Sequence, residues 1–582
     1  MTGSHQCKEW RGGPGGGPKG PNKFMQKPWL AHYPPGVPAE IDPNLYRSID
    51  DVLARSVAEY RDRPVMTNFG TTLSYAALDI AVQHFAAYLQ SVLGLKKGER
   101  VALMMPNVLQ YPVCIFGALR AGLVVVNVNP LYTARELEHQ LKDSGAVAIV
   151  VLENFAHVLE QVIARTAVKH VILTGIGDLL DRPKDWLVNF VLRHVQRRVP
   201  RYRLPGARRL RAALAAGTGA PFHAVALGHD DLAFLQYTGG TTGVAKGAEL
   251  THGNIVANIV QAEAWFGPFF RPGRETVVTA LPLYHIFSLT ANCLLFVRFG
   301  ALNVLITNPR DFDGFVKELS RHPFSVVTGV NTLFNALLHH PGFARLDFSN
   351  LRLTLGGGMA VQEPVARRWK EVTGHHITQA YGLTETSPAA IINPMTLTEF
   401  NGTIGVPIPS TEAEVRDADG RPLPPGEPGE LCLRGPQVTR GYWNRPDETA
   451  KALGPDGFFA TGDIATLDEQ GFVRIVDRKK DMIVVSGFKV FPNEVEEVIA
   501  ELPGVREAAA IGVPDEATSE AVKVFVVRSD PSLTAERIIE HCRAQLTRYK
   551  VPKQIEFRDQ LPKTNVGKIL RRALRDEATP PA

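Results

Sequence analysis

The feature that most constrains the fold is a regular alternation of short apolar runs with longer helix-length stretches. Residues 101–105, 123–128 and 147–152 are rich in valine and other apolar residues, which indicates buried strands. Strands that alternate with helices pair in parallel, because each helix carries the chain back across one face of the sheet. The same pattern resumes near residue 276. The sequence therefore predicts an α/β fold with helices flanking parallel-rich sheets.

The sequence pattern changes after about residue 401, where predicted short strands alternate with glycine- and proline-rich turns such as LPPGEPGE. A charged run, DRKKD at residues 477–481, then precedes a compact pattern of helices and strands. At 582 residues the chain is longer than one hydrophobic core usually supports. We expect a large N-terminal domain at residues 25–476, a hinge at 477–481 and a small mobile α+β domain at 482–577.

The first 24 residues include RGGPGGGPKGP and have no apolar core of the signal-peptide kind. We expect them to form a disordered tail, with the natural start at either Met1 or Met25. We expect residues 578–582 to form a second short tail. Residues 286–297 are apolar but too short to cross a bilayer, so no transmembrane helix is predicted. The five cysteines lack the spacing of metal ligands.

A basic segment between Trp186 and His229 contains no aspartate or glutamate. Leu187, Val191 and Val195 share one helical stripe, and eight arginines follow or accompany it: Arg193, Arg197, Arg198, Arg201, Arg203, Arg208, Arg209 and Arg211. An apolar stripe beside arginines is typical of a helix that lies on an anionic membrane surface. A solvated insertion is the alternative. No recognised module supports a nucleic-acid partner.

Residues 237–247 read YTGGTTGVAKG, directly after an apolar strand-like run. Glycines let the backbone approach a phosphate closely, and backbone N–H groups and threonine hydroxyls donate hydrogen bonds to it. The Walker pattern is absent, because alanine precedes the lysine and glycine follows it. A simple glycine-rich turn is the alternative. The candidate phosphate contacts are Thr238, Gly239, Gly240, Thr241, Thr242, Gly243 and Lys246.

Four further motifs accompany this loop: YGLTET at 381–386, TGD at 461–463, DRKKDMIVVSG at 477–487 and PKTNVGK at 562–568. In order and spacing the five resemble the core motifs of the AMP-forming acyl-CoA synthetases, within the adenylate-forming superfamily. Segments such as ALPLYHIF and KTNVGKILRR are similar to those of bacterial long-chain fatty acid–CoA ligases. The resemblance covers nearly the whole chain.

The resemblance implies a two-step reaction. A fatty acid and ATP give an acyl-adenylate and pyrophosphate, and coenzyme A then displaces AMP to give acyl-CoA for fatty acid degradation or other lipid metabolism. Mg²⁺, ATP and coenzyme A are the implied cofactor and co-substrates. A cytoplasmic enzyme, peripherally associated with the inner face of the cell membrane, is expected, and homodimers are usual among such ligases.

The resemblance also implies roles for individual residues. Glu385 would hold Mg²⁺, and Thr384, His285 and Lys568 would act on the reacting groups. The remaining nucleotide contacts would be Gly356, Gly357, Gly358, Tyr381, Asp463 and Arg478. Lys480 would be the pivot of the hinge, and Ser486, Gly487 and Lys489 would line the coenzyme A tunnel. The acyl pocket would include Gly382, Trp265 and Val330, with Gly382 leaving space that a tryptophan fills in relatives acting on short acids.

Other functions predict different observations. An adenylating ligase that loads a carrier protein, or that uses another lipophilic carboxylate, would not transfer fatty acids to free coenzyme A. A non-catalytic nucleotide-dependent membrane protein would not need Lys568 or Glu385. A P-loop phosphotransferase would release ADP instead of AMP and pyrophosphate.

Overall fold

The computed structural model describes residues 27–238, 245–515, 518–564 and 567–578. The predicted N-terminal tail, with Met25, lies outside the described residues, as does all but the first residue of the predicted C-terminal tail. The same holds for five of the predicted phosphate contacts: Gly239, Gly240, Thr241, Thr242 and Gly243.

Two large sheets form the main body of the described chain. The first has nine strands, parallel at its centre and antiparallel at both edges, in the order Val406–Pro407, Ala389–Ile392, Ile377–Gly382, Leu353–Gly357, Val326–Gly329, Thr276–Thr279, Leu302–Leu305, Pro64–Asn68 and Thr71–Ser74. The second has seven strands, all parallel except the last pair, in the order Arg208–Arg209, His170–Thr174, Ala148–Leu152, Arg100–Met104, Val124–Asn127, Leu232–Thr238 and Lys246–Thr251. This arrangement confirms the predicted α/β fold with parallel-rich sheets.

Helices connect and cover these strands. Along this part of the chain they are Ile49–Tyr60, Tyr75–Ala87, Gln110–Arg120, Ala134–Ser144, Ala156–Val162, Lys184–Phe190, Leu210–Thr218, His252–Phe266, Ile286–Ser288, Leu295–Arg298, Phe312–Leu319, Asn331–Leu338, Glu363–Thr373 and Pro446–Ala452. Every residue of Gln110–Arg120 is buried. One apolar cluster includes Phe116 of this helix, Val65 of the nine-stranded sheet and Leu103 of the seven-stranded sheet. The two sheets therefore share one core.

The later part of the chain forms two smaller sheets. The first is antiparallel, in the order Glu412–Arg416, Gly429–Arg434, Phe459–Leu467 and Val473–Arg478. The second contains Phe488–Val490, Ile483–Val485, Ser519–Arg528, Val505–Asp515 and Gln554–Phe557, and it carries the helices Pro492–Ala500, Ala535–Gln545 and Arg571–Ala578. The change of sheet falls at the DRKKD run. The last sheet and its three helices have apolar cores of their own and form a separate packing unit, called the C-terminal unit.

The basic segment forms the helix Lys184–Phe190, followed by a π-helical turn Val191–Val195. Trp186 and Val195 are 59% and 66% exposed, and Leu187 and Phe190 also face solvent, whereas Val188 packs against the core. Some of the arginines have structural partners, because Arg193 and Arg209 both pair with the buried carboxylate of Glu153. None of the helices within the described ranges is long and apolar enough to cross a membrane.

Candidate active site

A cavity of about 1600 Å³ lies where the two large sheets, the antiparallel sheet and the C-terminal unit meet. One end is polar and contains side chains from all five of the sequence motifs: Thr238, Lys246, Thr384, Glu385, Asp463, Arg478 and Lys568. The other end is apolar and is lined by Ala262, Phe266, Phe287, Ala291 and Leu295. Motifs separated by more than 300 residues in sequence therefore line a single cavity.

The phosphate-loop motif connects two antiparallel strands, with Thr238 paired to Lys246 across the hairpin. A Walker loop instead leads from a strand directly into a helix, so the two loops differ in structure. The hairpin is held from the helix Ala134–Ser144: the Tyr237 hydroxyl donates to Asp143 at 2.7 Å, and the His139 ring contacts the Ala245 carbonyl at 3.0 Å. The start and end of the loop are thus fixed by packing.

Glu385 lies in a single 3₁₀ turn, Thr384–Thr386, just after the strand Ile377–Gly382. Its side chain is only 9% exposed, and one carboxylate oxygen accepts a hydrogen bond from the Tyr442 hydroxyl at 2.7 Å. Burial raises the pKa of Glu385 above its usual value. A nearby cation would favour its ionised form.

The donor set around Glu385 fits magnesium. Magnesium is usually bound by one or two carboxylates together with substrate phosphates and water. Glu385 provides a buried carboxylate, and the hydroxyl-bearing Thr238 and Thr384 line the same cavity. No group of three or more histidine, cysteine or acidic side chains poised for a metal occurs in the described ranges. The arrangement suits a cation that arrives with a nucleotide.

Asp463 and Arg478 face each other on neighbouring antiparallel strands and form an ion pair of 3.1 Å. Asp463 is 3% exposed and also accepts a hydrogen bond from the Tyr381 hydroxyl at 2.6 Å. A carboxylate held in this way still has acceptor capacity for ligand hydroxyls. Both residues suit the ribose contact that the resemblance implies.

Gly357 and Gly358 line the cavity, whereas a Cβ atom on Gly356 would lie 2.7 Å from the Ile377 side chain in the core. A Cβ atom on Gly357 would lie 2.9 Å from the Ala380 carbonyl oxygen. Gly358 has a φ of +77°, a conformation that favours glycine, and a Cβ there would lie 3.3 Å from Cε of Lys568. The glycine run therefore leaves space that the catalytic lysine candidate approaches.

Lys568 is brought to this site by a loop of the C-terminal unit. The backbone N–H of Lys568 donates to the Thr564 hydroxyl at 3.0 Å, and the Gly567 carbonyl accepts from Thr332 of the main body at 3.0 Å. Burial, together with the positive charge of Arg478, lowers the pKa of Lys568 to about 8. The ammonium group is thus a desolvated cation, the state in which it interacts most strongly with an anion.

His285 lines the cavity and is the N-cap residue of the helix Ile286–Ser288. Its Nδ1 accepts a hydrogen bond from the backbone N–H of Phe287 at 3.3 Å. Burial lowers the pKa of His285 to about 3, and the charge of Lys568 contributes to the shift. The ring is therefore neutral at physiological pH.

The structure places two of the predicted acyl-pocket residues away from the apolar end. Trp265 is fully buried and packs edge-on against Tyr33, with ring centroids 5.1 Å apart. It does not line the cavity, because Ala262 and Phe266 present the facing side of the same helix. Val330 is buried between Gly358 and Gly567, beside the polar end.

Gly382 lines the cavity, as predicted. A second, steric constraint also requires glycine at this position. A Cβ atom at this position would lie 1.8 Å from the Pro388 carbonyl oxygen, so no side chain fits the present backbone. The expectation that glycine simply leaves the channel open is therefore incomplete. Three residues of the apolar wall, Phe287, Ala291 and Leu295, were not predicted from the sequence. They lie in the apolar run 286–297, whose short length excluded a transmembrane helix.

The hinge and coenzyme A candidates lie in two places. Lys480 lines the cavity, and burial lowers its pKa to about 8. Ser486 and Gly487 form the turn between the strands Ile483–Val485 and Phe488–Val490, both with positive φ, and Lys489 follows in the second strand. These last three are not among the cavity-lining residues. The structure therefore brings Lys568, and not the 486–489 turn, to the site.

Comparison with known proteins gives a consistent result. The chain matches the model of the AMP-binding enzyme family over residues 53–443 and that of the AMP-binding enzyme C-terminal domain over residues 494–568. It is 59% identical to a long-chain-fatty-acid–CoA ligase of Escherichia coli, covering 95% of this chain and 99% of that protein. It is also 59% identical to the enzyme of the same name from Yersinia pestis, covering 95% of this chain and 98% of that protein.

Among solved structures, ATP-bound MatB from Rhodopseudomonas palustris is similar in fold. The TM-score is 0.78 at 28% sequence identity, covering 91% of this chain and 99% of that chain.

Proposed function

The chain belongs to the AMP-binding enzyme family, and we propose that its cavity carries out both half-reactions of a long-chain fatty acid–CoA ligase. The 59% identity to ligases of that name over 95% of the chain is the observation that carries the activity. The polar and apolar ends of the cavity suit ATP and a fatty acid, respectively.

In the first half-reaction a carboxylate oxygen of the fatty acid attacks the α-phosphorus of ATP. The bond from that phosphorus to the bridging oxygen breaks, and pyrophosphate leaves with the electron pair. Both reactants are anionic, so the protein must supply positive charge and hydrogen-bond donors. Lys568 supplies a desolvated cation, and Lys246 supplies a second. Magnesium, held by Glu385 with the phosphates, would neutralise further charge.

In the second half-reaction the sulfur of coenzyme A attacks the acyl carbon, and the carbon–oxygen bond to AMP breaks. The thiol loses its proton, and AMP leaves with the electron pair. No protein nucleophile is needed, because the acyl-adenylate is already activated. Ser486, Gly487 and Lys489 would line the thiol's path after the C-terminal unit has rotated about Lys480. In the present arrangement Lys568 occupies the cavity instead.

The apolar end of the cavity supports a preference for long acids. Ala262 and Ala291 have small side chains, so the space between the helix His252–Phe266 and the 289–294 turn is not filled. Each buried methylene contributes about 0.8 kcal/mol, so a tail that reaches this region gains affinity with length. The neutral His285 lines the same cavity, near enough to Lys568 for that charge to lower its pKa, and would orient the carboxylate.

An exposed apolar surface supports peripheral binding to an anionic membrane. It combines Trp186, Leu187, Phe190 and Val195 with Phe69, whose side chain is 47% exposed at a hairpin turn. The Lys184 ammonium approaches the Gly70 carbonyl at 3.2 Å, which joins the hairpin to the helix. Aromatic side chains beside unpaired arginines are typical of segments lying at a lipid interface.

The experiment that tests the activity is acid-dependent exchange of labelled pyrophosphate into ATP, measured without coenzyme A across acids from acetate to stearate. Exchange restricted to long acids, followed by thioester formation when coenzyme A is added, supports the proposal. Exchange without transfer to free coenzyme A would favour a ligase that loads a carrier protein. Formation of ADP would refute adenylation.

A further inference from the structure

We propose that Tyr442 is a positioning residue that orients both Glu385 and Lys246 for magnesium-bound ATP. The inference rests on the proposed function and concerns a residue outside the recognised motifs. The Tyr442 hydroxyl donates to Oε1 of Glu385 at 2.7 Å. The same side chain places its ring 4.9 Å from the ammonium of Lys246. One side chain therefore contacts the carboxylate and the cation of two separate motifs.

The backbone around Tyr442 is fixed to the phosphate hairpin. Tyr442 forms an antiparallel bridge with Ala248, and the N–H of Trp443 donates to the Gly247 carbonyl at 2.8 Å. The N–H of Tyr442 itself donates to the Thr449 hydroxyl at 2.9 Å. Because these bonds hold the backbone on both sides, the hydroxyl has a defined position relative to Lys246.

The turn that carries Glu385 is tied to the same segment. The N–H of Thr439 donates to the Glu385 backbone carbonyl at 2.7 Å, three residues before Tyr442. The carboxylate is thus connected to one segment through both its backbone and its side chain. A hydrogen bond to one carboxylate oxygen limits rotation of the group and directs the other oxygen. Such partners of metal ligands typically change metal affinity 10- to 100-fold when they are removed.

The ring of Tyr442 has a second effect, on Lys246. The ammonium lies over the ring and forms an ion pair with Glu448. An aromatic face attracts a cation with an energy of about 0.5–2 kcal/mol, depending on exposure. The ring therefore keeps the flexible lysine side chain next to the cavity, whether its anionic partner is Glu448 or a phosphate.

Two substitutions separate these effects. Tyr442→Phe removes the hydroxyl and keeps the ring, whereas Tyr442→Leu removes both. Tyr46→Phe is a matched control, because the Tyr46 hydroxyl also bonds a glutamate, Glu263, at 3.1 Å, away from the cavity-lining residues. Binding of ATP to the full chain is measured by calorimetry over a series of magnesium concentrations, without fatty acid or coenzyme A, so that no turnover occurs.

We expect Tyr442→Phe to raise the magnesium concentration for half-maximal ATP binding about tenfold, with near-normal affinity at saturating magnesium. Tyr442→Leu should show the same shift and weaker ATP binding at saturation. Tyr46→Phe should match the unsubstituted protein. An unchanged magnesium midpoint in folded Tyr442→Phe would overturn the inference. If ATP binding to the unsubstituted protein did not depend on the magnesium concentration, the metal assignment of the proposed function would be contradicted instead.

Discussion

The Thr332 hydroxyl donates a hydrogen bond of 3.0 Å to the Gly567 carbonyl, immediately before Lys568. Thr332 belongs to the helix Asn331–Leu338 of the main body, and Gly567 belongs to the C-terminal unit. Nearby, the Asn335 amide donates to the Arg506 carbonyl at 3.2 Å. These bonds join the two units in the arrangement that places Lys568 in the cavity, which is the arrangement proposed for adenylation.

Thr332→Val should slow adenylation and spare thioester formation. The substitution removes the donor with little change of volume, and a single hydrogen bond of this kind contributes about 0.5–1.5 kcal/mol. We expect pyrophosphate exchange to fall roughly two- to tenfold. Conversion of supplied acyl-AMP to acyl-CoA should be unchanged or faster. Thr332→Ser keeps the hydroxyl and is the matched control; equal loss in both half-reactions would indicate a merely structural defect.

Lys568→Ala should abolish acyl-AMP formation, because it removes the buried cation beside Gly358 that we propose to contact the reacting phosphate. Thioester formation from supplied acyl-AMP should persist, because in the proposed rotation the C-terminal unit presents a different surface in that step. Rapid-quench assays of each half-reaction check this split. Lys563→Ala, in the same loop but paired with Glu507, is the control. Loss of both half-reactions in Lys568→Ala would argue against rotation of the C-terminal unit.

The pH dependence of adenylation should report the titration of Lys568. Burial lowers the pKa of this lysine to about 8, so it is cationic below that pH and neutral above it. The kcat/KM for ATP in pyrophosphate exchange, which reflects the free enzyme, should therefore fall as the pH rises through about 8. The rate of thioester formation from supplied acyl-AMP should lack this decrease. A flat exchange profile up to pH 10 would show that the charge of Lys568 is not required.

Chain-length preference should respond to filling the apolar end of the cavity. Gly382→Trp is not a clean test, because any Cβ there meets the Pro388 carbonyl oxygen at 1.8 Å. Ala291→Trp instead adds volume at a residue that lines the cavity. If it displaces three methylenes, each contributing about 0.8 kcal/mol, long acids should lose roughly 50-fold in kcat/KM relative to short ones. Ala291→Ser is the control. If Ala291→Trp left the relative kcat/KM values unchanged across acids, Ala291 would not line the acyl channel.

The sequence predicted the fold well where local patterns decide it. The apolar run at 101–105 formed the strand Arg100–Met104, because its burial and its neighbouring strands both favour a parallel strand. The position of Trp265 was not predictable in the same way. Helical spacing shows that a residue is on an apolar face, but it does not show whether that face meets a cavity or the core. Trp265 lies in the core.

Contacts between distant segments also could not be predicted from the sequence. Tyr442 and Glu385 are 57 residues apart, and Thr332 and Gly567 are 235 residues apart. Neither Tyr442 nor Thr332 has a local pattern that indicates a site, because each acts through a partner brought near by the fold. The motif residues were easier to identify, since several glycines, threonines and charged groups occur together in short stretches.

Membrane binding should depend on the exposed aromatic side chains of the 184–195 segment. We expect the double substitution Trp186→Ser with Phe190→Ser to weaken sedimentation with vesicles that contain anionic lipid. Both rings are about half exposed, and without them the segment has less apolar surface to bury in the lipid interface. Phe69→Ser should add to the effect if the hairpin belongs to the same surface. Ile80→Ser, which removes an apolar side chain of similar exposure on another helix, is the matched control.

The arginines should contribute a separate, salt-dependent component. Arg197 and Arg198 have no ion-pair partner among the described residues, whereas Arg209 pairs with the buried Glu153 and would destabilise the fold if neutralised. Arg197→Gln with Arg198→Gln should therefore weaken vesicle binding about fivefold per charge at low salt, with little effect at high salt. Pyrophosphate exchange should be unchanged, since neither residue lines the cavity. If all variants bound anionic and neutral vesicles equally, the segment would be interpreted as a solvated insertion instead of a membrane-binding surface.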